Sequence, residues 1–159
     1  MKRDRIKTLL DNKKEKQATI YGWIRTNRAQ AQFGFLNIND GSTLTNLQVV
    51  YDNKLDNFED VSKFRVGVSV MIEGAIILTP TMKQPLELHA TKIIMLGDCP
   101  ENYPIQPKRH TMEFLRDNAH LRARTNLFNA IFRIRSVAAM AIHTYFQSHG
   151  YVYVHTPLI

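Results

Sequence analysis

From Gln17 onward apolar and polar positions alternate with period two. Ile20, Gly22 and Ile24 alternate with Tyr21 and Trp23, which predicts a strand, since successive side chains of an extended backbone point to opposite faces. Phe33–Asn39 alternates again and stops at Asp40-Gly41-Ser42, a turn signal. Leu47–Tyr51 predicts a third strand, and Val66–Gly74 and Pro85–Leu96 a fourth and fifth, with a turn near Lys83-Gln84. Between the third and fourth, residues 56–65 set Phe58, Val61 and Phe64 at helical spacing. Ahead of the first strand, residues 2–16 are polar apart from Ile6, Leu9 and Leu10, a spacing that predicts a short helix packed on something larger. Three strands, a short helix and two strands within about eighty residues is the order of an OB barrel, with another small β-barrel or sandwich as the alternative.

The pattern changes after Leu96. Residues 97–109 hold three of the six prolines, which cannot continue a ladder and predict a semi-rigid connector. Beyond it, Leu127, Ile131, Ile134, Ala138, Ala141 and Tyr145 recur every three or four residues, predicting a helix over Asn126–His149. Phe128, Phe132, Val137, Met140 and Phe146 widen that stripe. Thr125 and Asn126 are candidate N-caps and Gly150 a candidate terminator. Tyr151–His155 predicts a short strand that stops at Pro157. The expected division is a barrel domain over 1–100, a linker or hinge over 101–121, and the beginning of a second domain over 122–159.

Composition narrows the class without choosing a function. With 44% hydrophobic and 22% charged residues the chain is globular rather than disordered. No apolar run is long enough to span a bilayer, and no signal peptide is read at the N-terminus. Cys99 is the single cysteine, so no intrachain disulfide is expected, in keeping with a reducing, cytoplasmic setting. The histidines show no metal-ligand spacing, and no metal site is expected. The net charge of +7 is unevenly placed: residues 1–30 carry +6, 31–99 carry −3 and 108–135 carry +5. Clustered Lys and Arg gain affinity for polyanions by releasing counterions, so nucleic acid is a candidate partner, alongside the plainer reading of two solvated surfaces.

Parity along the strands selects the candidate residues. If Leu36 and Ile38 face the core, Phe35 and Asn37 face outward; if Leu47 and Val49 are core, Gln48 faces outward; if Leu86 and Leu88 are core, Glu87 and His89 face outward. An outward ring can stack on an unpaired base, Gln48 offers a donor and an acceptor, and Glu87 accepts from amino or imino groups. Arg25 and Arg28 lie at the end of the first strand, within reach of phosphates or bases. A bulge or register slip would instead put Phe35 in the core.

GWIRTNR (22–28), FGFLNINDGS (33–42), LQVV (47–50) and PLEL (85–88) resemble the anticodon-binding OB domain of class IIb aminoacyl-tRNA synthetases. TMEFLRDNAHLRARTNLFNAIFRIRS (111–136) resembles the asparaginyl branch specifically, and HGYVYVHTPLI (149–159) resembles class II motif 1. The resemblance implies a mainly β fold, a five-stranded OB-fold barrel followed by the truncated start of a class II α+β catalytic domain. It implies that Phe35 stacks on the central anticodon uridine, that Gln48 and Glu87 contact anticodon bases, and that Arg28 lies against the same loop. Tyr145, Phe146, Tyr151 and Pro157 would belong to the motif 1 dimer interface of a homodimer. The activity implied is asparagine–tRNA ligation from asparagine and ATP, with Mg2+ as cofactor and tRNA as partner. Motifs 2 and 3 come later in the family, so the 159 residues alone are expected to be inactive, and no catalytic residue is assigned among them. The alternatives are an aspartate–tRNA ligase of the same class and a non-catalytic OB protein that binds single-stranded RNA or DNA.

Overall fold

A computed structural model describes residues 3–82 and 84–157. The chain divides into two compact units between Thr111 and Met112. Residues 101–111 of the expected linker therefore group with the barrel, and 112–121 with the second unit.

The first unit is a closed five-stranded barrel in the order β1-β2-β3-β5-β4. Its strands are β1 (Lys16–Ala29), β2 (Phe33–Asn39), β3 (Leu47–Asp52), β4 (Ser69–Leu78) and β5 (Leu86–Gly97). The long β1 pairs with β4 through its first half and with β2 through its second. It changes partner at an irregularity between Ile24 and Thr26, which bends the strand around the barrel corner. β3 and β5 pair in parallel and complete the closure. The inward positions are those that alternation selects: Ile20, Ile24, Leu36, Ile38, Leu47, Val49, Ile72, Leu86 and Leu88 are all fully buried.

Two helices finish the core. In α1 (Ile6–Asn12), Ile6 and Leu9 are buried against it, and Leu10 packs at its edge. The helix is tied down by the β2–β3 turn: Ile6 N–H donates to Asp40 Oδ2 at 3.0 Å and Lys7 N–H donates to Ser42 Oγ at 3.0 Å. α2 (Phe58–Ser62) is shorter than the helical spacing over 56–65 suggests; Val61 is buried and Phe58 and Phe64 flank it. Asn27 of β1 holds this segment by donating from Nδ2 to the carbonyls of Val61 at 2.9 Å and Phe64 at 3.1 Å.

β4 departs from expectation. It starts at Ser69 rather than Val66 and runs past Gly74 to Leu78. Gly74 is a point of close approach inside the strand rather than its end: a Cβ there would lie 2.1 Å from the His89 carbonyl oxygen. The β4–β5 register shifts at the same place, between Glu73 and Gly74. The turn expected at Lys83-Gln84 falls partly on Lys83, outside the described residues.

The second unit holds α3 (Met112–Asp117), a 3-10 turn (Arg122–Arg124) and α4 (Asn126–Ser148). Thr125 is the N-cap of α4: its Oγ1 accepts from Phe128 N–H at 3.4 Å and donates to the Arg122 carbonyl at 2.6 Å. Gly150, at φ +84, lies just past the end of the helix, as expected of a terminator. Residues 151–157 form no ladder, so the strand expected at Tyr151–His155 is absent among the described residues. A strand is held by inter-strand hydrogen bonds, and the second unit has no other strand among its described residues to supply them. Residues 158–159 lie outside the described residues.

Candidate nucleic-acid interface

The strand order sets β2 between β1 and β3, and β3 between β2 and β5. Arg28 lies directly across from Phe35, and Asn37 directly across from Gln48. Val49 is registered with Leu88, which brings Gln48 alongside Glu87. The expected residues Arg28, Phe35, Gln48 and Glu87 thus occupy neighbouring strands at positions that alternate with the core residues Leu36, Val49 and Leu88.

Phe35 is half-buried and outside the core, so no slip of register occurs. The Arg28 guanidinium lies 5.8 Å from its ring centroid, and Phe33 packs edge-on at 5.5 Å. Together they form a small aromatic and cationic platform. The close packing behind it needs Gly34, where a Cβ would fall 2.3 Å from Tyr51 Cζ. Tyr51 is sealed in the core and donates its hydroxyl to Asn27 Oδ1 at 2.9 Å. Burial pushes its phenol pKa up.

Glu87 corrects the simple parity picture. It points away from the core, yet its side chain is only 12% exposed. Gln48 covers it, donating from Nε2 to Glu87 Oε1 at 2.7 Å. His89 Nε2 stands 3.9 Å from Glu87 Oε2. Gln48 N–H in turn donates to Gln84 Oε1 at 3.2 Å. The sequence pattern alone does not single out Phe33 or Gln84. Phe33 shares the parity of Phe35, a signal that could have found it; the Gln84 contact spans thirty-six residues and has no local signal.

In the second unit Tyr145, Phe146, Tyr151 and Pro157 are exposed in this chain. Phe146 meets Tyr145 at 5.5 Å and Tyr151 at 5.4 Å, edge to face, so three of the four expected interface residues form one aromatic cluster. Arg122 lies 4.8 Å from the Phe128 ring centroid and 5.7 Å from that of Phe132, a contact internal to the second unit. Among the described residues no three His, Cys, Asp or Glu side chains come together as metal ligands. No helix among them is long and apolar enough to cross a membrane.

A closed barrel with an outward aromatic platform beside paired amide and carboxylate groups defines a class, and residues 18–96 match the family described as "OB-fold nucleic acid binding domain". The chain is 53% identical over 144 residues to the asparagine–tRNA ligase of Clostridium acetobutylicum, covering 91% of this chain and 31% of that protein. It is likewise 53% identical to the asparagine–tRNA ligase of Acholeplasma laidlawii, over 90% of this chain and 31% of the relative. In fold it is similar to the crystal structure of asparaginyl-tRNA synthetase from Pyrococcus horikoshii, with a TM-score of 0.86 at 24% identity, over 98% of this chain and 38% of that one. The chain is thus about half identical to asparagine–tRNA ligases over nine-tenths of its own length, and it spans about 31% of the length of these curated relatives.

Proposed function

We propose that the whole protein joins asparagine to its tRNA using ATP, and that this chain supplies anticodon recognition. The observation that carries the reading is the row Arg28, Phe35, Gln48 and Glu87 on adjacent strands, in a sequence about half identical to asparagine–tRNA ligases. An unpaired base stacks on Phe35, extended on one side by the Arg28 guanidinium. Gln48 and Glu87 read base edges, Gln48 through its amide and Glu87 as an acceptor. Lys and Arg of the basic zone at residues 1–30 contact phosphates and place the loop without reading it.

ATP and Mg2+ belong to the whole enzyme, acting on phosphate chemistry in a catalytic domain that residues 122–159 begin. Tyr145, Phe146, Tyr151 and Pro157 would form part of a homodimer interface, and the setting is cytoplasmic. The identity to asparagine–tRNA ligases favours asparagine over aspartate as the amino acid.

The test is binding of the chain to anticodon stem-loops that differ only at the central base. Uridine there should bind tightest, and affinity for every loop should fall steeply with salt, because phosphate contacts release counterions. Equal affinity for all four central bases and for unrelated single strands would mark a general single-strand binder instead.

A further inference from the structure

One polar atom of the candidate face has no partner. Asn37 Oδ1 is shielded from solvent and accepts no hydrogen bond among the described residues. The other end of the same amide is engaged: Asn37 Nδ2 donates to Thr26 Oγ1 at 2.8 Å. A shielded acceptor without a donor is costly, and its persistence calls for a reason. Its place in the sheet supplies one. β3 lies between β2 and β5, so Gln48 is flanked by Asn37 on one side and Glu87 on the other. The Gln48 amide therefore has two acceptors within its neighbourhood. It is hydrogen-bonded to Glu87 Oε1, and the acceptor on Asn37, directly across the ladder, is unmatched. Side chains directly opposite in an antiparallel pair stand about 4.5–5.5 Å apart at Cβ, well within the reach of a glutamine.

We propose that Asn37 is a positioning residue for base recognition, its Oδ1 receiving the Gln48 amide when a base donor takes Glu87. In the free protein Gln48 Nε2 donates to Glu87 Oε1, so a base donor that takes this oxygen displaces that hydrogen bond. A second acceptor beside Gln48 replaces that bond as the base enters. Glu87 is then released to accept from the base, while Gln48, held by Asn37, presents its carbonyl oxygen. The mechanism rests on the anticodon-recognition reading, and it explains why a face built to bind keeps an unmatched acceptor.

A double-mutant cycle on the full chain tests it, with an anticodon stem-loop carrying central uridine as the probe. Asn37→Leu should weaken binding about tenfold, the effect of losing one compensating hydrogen bond. In a Gln48→Leu background the same substitution should change binding by less than about twofold, because there is no amide left to receive. Side-chain amide resonances of Gln48 should shift on adding RNA to the wild type and stay near their free position in Asn37→Leu. A tenfold loss that persists in the Gln48→Leu background overturns the proposal, since Asn37 would then contact RNA itself. Unchanged binding in Asn37→Leu also overturns it. Should Asn37→Leu fail to fold, Asn37→Ala carries the same cycle. Failure of the underlying reading looks different: the wild type itself would show no preference for central uridine, and Phe35→Ala would leave binding unchanged.

Discussion

Tyr51 shows how one buried side chain ties the platform to the rest of the barrel. Its ring fills the space that Gly34 leaves open, and its hydroxyl bonds Asn27, which in turn holds α2. Because burial raises its pKa above the unfolded value of 10.0, the native state holds the phenolic proton more tightly than the unfolded chain does. The resulting stability is fully present below pH 10 and is lost as pH rises through the folded-state value. Chemical denaturation at a series of alkaline pH values should show a decline in unfolding free energy that Tyr51→Phe flattens. At neutral pH that variant should cost about 1–3 kcal/mol, since Asn27 Oδ1 loses its donor. Phe35→Ala is expected to do the reverse. It should weaken stem-loop binding by about 1–3 kcal/mol, the worth of base–aromatic stacking. It should disturb stability far less than the roughly 3–5 kcal/mol of a buried Phe→Ala, because the ring lies outside the core. A thermal melt beside a binding titration separates the two effects. Phe35 and Gln48 are legible from alternation alone, since period two sends Leu36 and Val49 inward. The burial of Glu87 is not, because it depends on β3 and β5 becoming parallel neighbours, a pairing thirty-nine residues apart in sequence.

At the level of elements, order and type are readable while lengths are less so. Strands and helices arise from the spacing of apolar residues, but where a strand stops depends on what it meets. Gly74 illustrates the difference. Read locally, a glycine after an apolar run marks an end. In the barrel it is where β4 leaves no room for a side chain against β5, and the strand continues through Ala75 and Ile76 to Leu78. Gly74→Ala should therefore act on the sheet rather than on a turn. The added Cβ meets backbone, the His89 carbonyl, which cannot swing aside as a flexible side chain would. A loss of about 1–3 kcal/mol is expected, the usual cost of overpacking. Urea denaturation monitored through Trp23, the single tryptophan, reports it directly, since β1 pairs with β4 along that stretch. A variant as stable as the wild type would mean that the β4–β5 irregularity relaxes without cost. The predicted strand at Tyr151–His155 fails for the complementary reason: its composition suits a strand, but a ladder needs a second strand, and composition cannot provide one.

On the scale of the whole molecule the two units differ in how far they bury what their sequences offer. The barrel encloses its apolar stripe on every strand, and its core is continuous from α1 to α2. α4 does not. Ile134, Val137, Met140, Ile142 and Tyr145 are each more than half exposed, and Val152 beyond the helix is 84% exposed. An apolar face of that extent is not normally left in water, and a helix apolar around much of its circumference calls for cover on more than one side. The 159-residue chain should therefore associate with itself as its concentration rises, whereas a chain ended at Thr111, where the barrel unit closes, should remain a monomer. Sedimentation of both over a concentration series measures this. Added sulfate should strengthen the association, as burial of apolar surface predicts, while pairing through charges would weaken. Tyr145→Glu and Val137→Glu place charge on the exposed stripe and should shift the longer chain towards monomer without altering the melting of the barrel. A longer chain that stays monomeric at every concentration, with the α4 amides protected from hydrogen exchange, would mean that the stripe finds its cover within the same chain.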